Sequence, residues 1–348
     1  MDGRASARFA MESMMDDGAV KTLFLQIDTG EVDTGSDTSR WLFLNASLPP
    51  ADAPLAKSQI HAVQGFRPEF LRLHRAGFQV TPEVSGESLD GGLILVSRHR
   101  GETRALLNQA VERVKPGGTI VLAGAKNDGI ASVAKEVGEQ FEILGSLSKH
   151  HAKAFWFVNT GTSRFADEPI LPINGRYETA PGMFSSQHVD PGSAFLIANL
   201  PRDLKGRIAD FCAGWGYLSV ETAALCPAVK SIDLFEADFG SLETAKRNMA
   251  RLAPPLAADF HWLDLMMEKT PGNYDTIIMN PPFHQGRAAD PAIGNAIIRN
   301  AHNALHKGGK LYLVANRALP YEATLDAMFF KSGEMARNAY YKVLWATK

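Results

Sequence analysis

From Ser193 onward, short β-rich runs alternate with helical stretches, and this alternation constrains the possible fold more than any other feature. The β-rich runs are RIADFC, VKSIDLFE, DFHWLD, YDTIIMN and GKLYLVAN, and helical segments such as SLETAKRNMARL lie between them. Strands that alternate with helices predict a parallel, doubly wound α/β sheet. In the last predicted helix, apolar residues at helical spacing predict one face packed on that sheet: Ile293, Ile297, Ile298, Ala301 and Leu305.

The first half of the chain repeats part of this pattern. RALLNQAVERVKPGGTIVLAG and NAIIRNAHNALHKGGKLYLVAN both run from a helix through a Gly-Gly turn into a strand. A chain of 348 residues is also long enough for two domains that each bury a core. We therefore predict two tandem Rossmann-like domains, residues 1–165 and 166–348, with a Gly-, Pro-, Ser- and Asn-containing connection over residues 160–191.

The two halves differ where ligands would bind. In the first half the strand GGLILVS runs into Arg98-His99-Arg100, and the strand WLFLNAS leads into no glycine-rich loop. The second half has a glycine-rich turn and an Asn-Pro-Pro-Phe corner at the corresponding places. The first domain is therefore predicted to be a degenerate, catalytically silent copy.

Composition excludes several classes of site. The only cysteines, Cys212 and Cys226, show no CxxC spacing and accompany no histidine cluster, which predicts neither disulfides nor a metal. No run approaches the roughly twenty apolar residues of a membrane span, and no signal peptide is apparent, so we expect a cytoplasmic protein.

A net charge of −2 means that any contact with nucleic acid must be local. Basic side chains cluster at three places that are either RNA contacts or ordinary solvated surface. They are Lys57, His61, Arg67, Arg72, His74 and Arg75; Arg98, His99, Arg100 and Arg104; and Arg202, Lys205 and Arg207.

The segment IADFCAGWGYLS predicts a strand that ends at Asp210 and a helix that begins near Tyr217. Gly214 and Gly216 lie in the turn between them, where backbone without a Cβ can approach a ligand. This resembles methyltransferase motif I, although dinucleotide-binding proteins and merely tight connections share the pattern. Trp215, inside the turn, either covers part of a cofactor or packs on the following helix.

Acidic residues follow the next two predicted strands. Glu236 closes one strand about twenty residues beyond Gly216, where an acid can accept hydrogen bonds from ribose hydroxyls. Asp264 closes the next strand. Either acid could instead form a turn at a strand end. Asp233 and Asp238 compete with Glu236, but we expect the first inside the strand and the second in the turn.

Asn280-Pro281-Pro282-Phe283 follows the β-rich run at 274–279 and therefore lies at the carboxyl edge of the sheet. It resembles the D/N/S-P-P-Y/F/W motif of amino-methyltransferases. The Asn280 amide oxygen and the Pro281 carbonyl can accept both hydrogens of a planar amine and favour a pyramidal nitrogen. The prolines fix φ, and Phe283 offers a face on which a flipped base can stack. Asn-Pro-Pro is also a good strand terminator.

The segment after this corner contains two candidate substrate contacts, His284 and Arg287. His284 could also order the following loop or face solvent. Methyl transfer from a donor with its own leaving group requires alignment and proton acceptance, so the predicted site includes no metal.

With this corner in place, the second half resembles the ribosomal RNA (guanine-N2) methyltransferase family, particularly its two-domain small-subunit enzymes. The likeness runs from PGMFSSQHVDPGSAFLIANL through ADFCAGWGYLS and IIMNPPFHQG to YYKVLWATK. It implies two tandem class I methyltransferase-like sheets, the catalytic one with seven strands and an antiparallel last strand. The degenerate N-terminal domain is then expected to support folding or RNA binding.

The resemblance also implies S-adenosylmethionine as methyl donor, guanine N2 as acceptor, and ribosomal RNA or the small subunit as partner. The residues expected to hold the donor are Asp210, Cys212, Gly214, Gly216, Glu236 and Asp264, the last near the adenine amine. Cys212 departs from the family pattern, which usually has a glycine there, and its side chain is expected to narrow the donor loop.

Other functions remain open at this stage. The same fold and donor could serve adenine N6, cytosine N4 or a protein glutamine amide. A different class of function is a non-catalytic RNA-binding factor for ribosome assembly. A monomer is favoured, although the sequence does not establish the oligomeric state.

Overall fold

The computed structural model describes residues 17–86, 88–162, 165–166, 172–282, 284–285, 288–289 and 291–348. It divides into two compact units, Met1–Pro169 and Ile170–Lys348. The sequence placed a domain boundary after residue 165. Each unit is built around a sheet of seven strands.

The first unit has the strand order β3-β2-β1-β4-β5-β7-β6. The five strands from β3 to β5 are parallel, and β7 runs antiparallel to both of its neighbours. Its strands are β1 (Trp41–Leu44), β2 (Ile60–Val63), β3 (Gln79–Thr81), β4 (Gly91–Leu95), β5 (Thr119–Ala125), β6 (Ile143–Lys149) and β7 (Ala152–Val158). Its helices are α1 (Asp17–Asp28), α2 (Arg67–Arg75), α3 (Arg100–Arg113) and α4 (Ile130–Gly138), with 3-10 turns at Lys57–Gln59 and Lys126–Asp128.

The second unit repeats this topology in the order β10-β9-β8-β11-β14-β16-β15. Its sheet strands are β8 (Lys205–Phe211), β9 (Ala228–Glu236), β10 (Ala257–Trp262), β11 (Tyr274–Met279), β14 (Leu305–Asn316), β15 (Lys331–Arg337) and β16 (Tyr341–Thr347). A hairpin of β12 (His284–Gln285) and β13 (Ala288–Ala289) stands apart from the sheet. Its helices are α5 (Pro191–Asn199), α6 (Tyr217–Leu225), α7 (Phe239–Leu252), α8 (Pro291–Ala304) and α9 (Glu322–Met328).

The sequence predicted two doubly wound sheets, and the resemblance implied an antiparallel last strand in the second; both predictions are confirmed. The two units share one doubly wound topology, and β16, the last strand of the chain, is antiparallel to β14 and β15. The apolar stripe of α8 is buried, with Ile297 and Ile298 at 2% and 0% exposure. Leu305, assigned from sequence to the same helical stripe, is instead the first residue of β14. Its side chain is buried beside the stripe.

The connection predicted over residues 160–191 is wrong in its C-terminal part. Ile173 and Tyr177 are buried at 4% and 1% exposure in the core of the second unit. The Tyr177 ring lies 5.2 Å from the Trp215 ring, centroid to centroid. Gly, Pro, Ser and Asn in this segment indicate irregular backbone, but its few apolar side chains are enough to fix it to the unit.

Among the residues that the structure describes, no helix is both long enough and apolar enough to cross a membrane. The same residues contain no group of three or more His, Cys, Asp or Glu that could hold a metal ion.

Candidate active site

The candidate site lies at the carboxyl edge of the second sheet, where β8 and β11 are parallel neighbours. Met279 pairs with Phe211 at the ends of these strands. The next residues, Asn280 and Cys212, therefore leave the sheet side by side. In doubly wound sheets ligands bind outside the carboxyl ends of the strands where the strand order reverses, and β8 and β11 flank that point here.

The turn after β8 is held in left-handed backbone conformations. Cys212, Gly214 and Gly216 have φ of 62°, 54° and 90°. A Cβ at Gly214 would meet nothing within 4 Å, whereas a Cβ at Gly216 would lie 3.2 Å from the Cβ of Ala245. Gly214 therefore leaves room beside the turn, and Gly216 allows α6 to begin close against α7.

Cys212 adopts this left-handed conformation although it is not a glycine, which is unfavourable for a residue with a side chain. Its side chain lines the cleft described below. Burial raises the pKa of the Cys212 thiol, and the nearby carboxylates of Glu236, Asp210 and Asp264 raise it further. The group at this position is therefore a neutral thiol.

Asp210, near the end of β8, is fully buried. Its Oδ2 accepts a hydrogen bond of 2.7 Å from the Ser219 hydroxyl, while the buried Oδ1 has no hydrogen-bond partner. Burial raises the pKa of this carboxyl to about 7, and the charge of Glu236 adds to the effect. An unpaired buried carboxylate oxygen is costly, so this edge of the sheet favours a cationic or hydrogen-bond-donating ligand.

Glu236, the last residue of β9, supports the glycine turn. Its Oε2 accepts the N–H of Gly214 at 2.8 Å, and its Oε1 accepts the N–H groups of Ala237 and Asp238 at 2.8 and 2.9 Å. Burial raises the pKa of this carboxyl. Oε1 thus accepts two hydrogen bonds and Oε2 only one, so Oε2 can still accept a hydrogen bond from a ribose hydroxyl.

The other acids considered from sequence have structural roles. Asp238 accepts the N–H of Ser241 at 2.7 Å and caps α7. Asp233 lies within β9, where it pairs with Arg207 at 2.5 Å and accepts a 2.5 Å hydrogen bond from the Tyr274 hydroxyl. These are the strand and turn positions expected for the two residues.

Asp264 lies two residues beyond the end of β10 and is buried at 6% exposure. Its Oδ1 accepts the N–H of Met266 at 2.9 Å, and its own N–H donates to Glu268 at 2.9 Å. The residue thus forms the turn that was the alternative interpretation of its sequence position. Its contact with adenine stays a prediction.

Asn280, directly after β11, has a fixed amide orientation. Its Nδ2 donates to Asp190 Oδ2 at 2.9 Å and to Ser193 Oγ at 2.8 Å. Both N–H groups are used, so the amide oxygen is the part that can accept hydrogen bonds from a substrate. Pro281 is buried and Pro282 is exposed.

Asp190 and Ser193 are functional residues that the sequence analysis missed. Asp190 is the N-cap of α5, and its Oδ2 also accepts the N–H of Ser193 at 2.7 Å. The signal was present, because an acid followed by proline marks a helix start. That signal predicts a cap but does not predict a second bond to a side chain 90 positions away.

Three further residues of the predicted site follow the prolines. Phe283 and Arg287 lie outside the described residues. His284 begins the short strand β12, which pairs with β13. The substrate-binding roles of Phe283, His284 and Arg287 stay predictions.

A cleft joins the glycine turn to the Asn280 corner. Its lining includes three predicted residues, Cys212, Gly214 and Asn280. The segment before α5 and the first turn of α5 form another wall, which contains Phe184, Ser185, Asp190 and Ser193. Trp215 lines the cleft, is buried at 4% exposure, and donates its indole N–H to the Phe184 carbonyl at 2.9 Å. It therefore fixes the wall segment while packing in the core.

Several residues of the predicted basic patches are paired within their own unit. Arg100 and Arg104 both contact Glu136, at 2.9 and 2.6 Å. Arg207 contacts the buried Asp233, as described above. Arg207 therefore has a structural role, and RNA contact by these patches stays a prediction.

Comparison with known proteins places the chain in a family. A family model for the Methyltransferase small domain matches residues 174–345. A protein of Shewanella loihica, "Ribosomal RNA small subunit methyltransferase C", is 30% identical over 272 residues, which are 74% of this chain and 77% of that protein. This chain belongs to the ribosomal RNA small subunit methyltransferase C family.

Other members of this family extend the match over more of the chain. The Erwinia tasmaniensis protein of the same name is 27% identical over 319 residues, covering 86% of this chain and 89% of its own length. Among solved structures, the T. thermophilus 16S rRNA N2 G1207 methyltransferase in complex with AdoMet and guanosine matches with a TM-score of 0.76 and 22% identity. That match covers 95% of this chain and 91% of the other. The family and two-domain fold predicted from the sequence are confirmed.

Proposed function

We propose that this protein transfers a methyl group from S-adenosylmethionine to the exocyclic N2 amine of a guanine in small-subunit ribosomal RNA. Catalysis is assigned to the domain 166–348, and support of folding or RNA binding to the domain 1–165. The observation that carries the proposal is the fixed amide of Asn280, whose oxygen is the available acceptor beside the glycine turn.

The residues at the sheet edge fit the proposed donor. Asp210 has an unpaired buried oxygen suited to an ammonium group, and Gly214 leaves space beside the turn. Glu236 Oε2 can accept a further hydrogen bond from the ribose, and Asp264 is assigned to the adenine. Cys212 adds a neutral thiol to the wall of the cleft. When bound, S-adenosylmethionine supplies a methyl group on a positively charged sulfur that is its own leaving group.

The chain's own residues activate and align the acceptor. The Asn280 amide oxygen and the Pro281 carbonyl accept the two hydrogens of the amine, which favours the pyramidal geometry of a nucleophilic nitrogen. An amide is no base, so one amine hydrogen passes to solvent as a proton after the nitrogen–carbon bond has formed. The assigned role of Phe283 is to stack on the base, with His284 and Arg287 contacting the RNA nearby.

Family membership supports guanine as the acceptor. The relatives are named for small-subunit ribosomal RNA, and the T. thermophilus enzyme is named for the N2 position of a guanosine. We further assign the protein to the cytoplasm, where its proposed RNA substrate is assembled, and to a monomeric state.

The test is methyl transfer from labelled S-adenosylmethionine to small subunits or naked 16S-type RNA, followed by mass analysis of nucleosides and proteins. N2-methylguanosine is the expected product. Methylated adenine, cytosine or glutamine would reassign the acceptor. Asn280→Ala is expected to reduce transfer by at least about 100-fold, because it removes an acceptor used in the transition state.

Two controls accompany this variant. Asn303→Ala changes an exposed asparagine of the same unit and is expected to leave transfer unchanged. Calorimetry with S-adenosylmethionine should show nearly intact binding in Asn280→Ala. If Asn280→Ala transfers methyl groups at the parent rate, the assigned role is wrong. If the parent binds no donor, the protein is a non-catalytic RNA-binding factor.

A further inference from the structure

The first unit contains a cleft of its own. Its place in the sheet corresponds to that of the cleft between the glycine turn and Asn280 in the second unit. It is lined by residues at or beyond the carboxyl ends of four parallel strands, β1, β2, β4 and β5. Polar side chains in its lining are Asn45, Ser47, Gln64, Glu69, Arg72 and Asp128. The crevice outside β1 and β4 is the position where doubly wound sheets bind ligands.

The turn after β1 repeats the turn after β8 in detail. Asn45 has φ of 51° where Cys212 has 62°. The next residue, Ala46 or Ala213, donates its N–H to a carbonyl at the end of the neighbouring strand, at 3.0 Å in both units. These shared conformations relate the two clefts residue by residue.

The carbonyls that accept these bonds belong to Val63 and Phe235. The residues that follow them, Gln64 and Glu236, therefore occupy corresponding positions. Gln64 Oε1 accepts the N–H of Phe66 at 2.8 Å, just as Glu236 Oε1 accepts the N–H two residues further on. Its Nε2 donates to the Ala46 carbonyl at 2.7 Å. The side chain that supports the turn is present in both units, but in the first it is an uncharged amide.

The same comparison shows that the first cleft lacks the glycine turn of the second unit. Ser47 and Pro49 stand where the second unit has Gly214 and Gly216. Proline cannot adopt the φ of 90° found at Gly216, so the loop cannot follow the same path. The cleft persists after the glycine loop that holds a methionine donor has been replaced.

The groups that remain suit a nucleotide. Phe66 lines the cleft and is 45% exposed, which gives a flat face for stacking a base. The amide of Asn45 and the hydroxyl of Ser47 can exchange hydrogen bonds with base edges or ribose.

Charges around the cleft are mixed. Glu69 and Asp128 pair with Arg72 and Arg98 at 3.3 and 3.4 Å. Arg98 remains 69% exposed. Lys126 is also exposed and begins the 3-10 turn that contains Asp128. These two cations follow β4 and β5 at the same edge and can contact a phosphate.

We propose that the first unit binds one unpaired nucleotide in this cleft, with its base against Phe66 and its phosphate near Arg98 and Lys126. The nucleotide comes either from single-stranded RNA or from the free pool. This site is separate from methyl transfer and does not require donor binding by the first unit.

The test uses the full chain and a short single-stranded RNA that contains 4-thiouridine. Ultraviolet crosslinking and peptide mapping are expected to place crosslinks in peptides that contain Ser47 or Phe66. By fluorescence anisotropy, Phe66→Ala is expected to weaken binding of the same RNA at least about fivefold, because a base–aromatic stack is lost. Phe66→Trp is expected to restore binding.

The matched control is Phe330→Ala, which removes an exposed phenylalanine that lines neither cleft and is expected to leave binding unchanged. Crosslinks at the first cleft that GMP displaces identify a free nucleotide as ligand, and crosslinks that resist GMP identify RNA. Crosslinks confined to the second unit, with Phe66→Ala binding like the parent, would overturn the proposal. Methyl-donor calorimetry on the same variants tests the second cleft independently.

Discussion

Replacing Asp190 with alanine should change the orientation of the Asn280 amide, the proposed catalytic group, while Asn280 itself is kept. Asp190 Oδ2 accepts one hydrogen bond from Asn280 Nδ2 and one from the N–H of Ser193. Without the carboxylate, only Ser193 Oγ still orients the amide, at 2.8 Å. The amide can then rotate and present its N–H groups, instead of its oxygen, to the amine of the substrate.

The size of the effect follows from the bond that is lost. A hydrogen bond to a charged group contributes about 1.5–3 kcal/mol, which corresponds to a loss of about 10- to 150-fold in kcat if the bond serves only to orient the amide. Loss of the N-cap of α5 should lower the free energy of unfolding by about 1 kcal/mol. Donor affinity should change little, because the carboxylate is not assigned a donor contact.

The assay measures kcat and KM for methyl transfer together with thermal unfolding and donor calorimetry. Asp190→Asn is the matched variant, since its side-chain oxygen can accept the same two hydrogens and keep the cap. We expect it to retain kcat within about threefold, because each hydrogen bond becomes neutral without being lost. Ser193→Ala removes the other acceptor and should lower kcat by a smaller factor than Asp190→Ala.

The result that would refute this reasoning is a folded Asp190→Ala protein with the parent kcat. A loss seen only as weaker donor binding would also contradict it, because Asp190 would then act on the donor and not on Asn280. Equal damage from Asp190→Asn and Asp190→Ala would show that the negative charge matters more than amide orientation.

Four further predictions concern three groups of the second unit, Asp210, Cys212 and Asp233. Burial raises the Asp210 pKa to about 7, so its negative charge appears as pH rises. Donor affinity by calorimetry should increase by up to about tenfold from about pH 6 to pH 8, and Asp210→Asn should weaken this dependence. The folded pKa of Asp210 exceeds the unfolded one, so the donor-free protein should lose stability to urea as pH rises from about 4 to 7. The loss should be smaller in Asp210→Asn, where Glu236, whose pKa is also raised, still titrates. Cys212→Gly should relieve about 1 kcal/mol of left-handed strain and tighten donor binding, whereas Cys212→Ala keeps the Cβ and the strain; equal affinities of these two variants would assign the effect to the thiol. Asp233→Ala should lower the free energy of unfolding by about 1–2 kcal/mol, because the buried Tyr274 hydroxyl loses its acceptor and the partly exposed Arg207 loses an ion pair. The salt dependence of RNA binding should stay unchanged.

Features that depend on local periodicity could be predicted from the sequence. The strands around Asp210, Glu236 and Asn280 are short apolar runs, and the turns after them contain glycine or proline with defined backbone preferences. Parallel pairing then brings Cys212 and Asn280 together at one edge, as the register of β8 and β11 shows. The glycine turn and the Asn280 corner could therefore be predicted from the sequence.

Features that depend on contacts between distant segments could not be predicted. Asp190 and Asn280 are 90 positions apart, and nothing in either local sequence specifies their hydrogen bond. Tyr177 lies in a segment without periodicity, so the sequence does not predict its burial. The burial depends on packing against Trp215, which is distant in the chain. The cleft of the first unit was missed because its turn keeps the left-handed conformation with Asn45 and without glycine.

Glu236 and Gln64 occupy corresponding positions in the two units and support the turn in the same way. Support of the turn needs only a side-chain oxygen that accepts backbone N–H groups, and a carboxylate and an amide both supply one. Recognition of a ribose diol depends more strongly on the charge, which only the carboxylate supplies. An exchange of carboxylate for amide at this position can therefore change the ligand while the hydrogen bonds that hold the turn are kept.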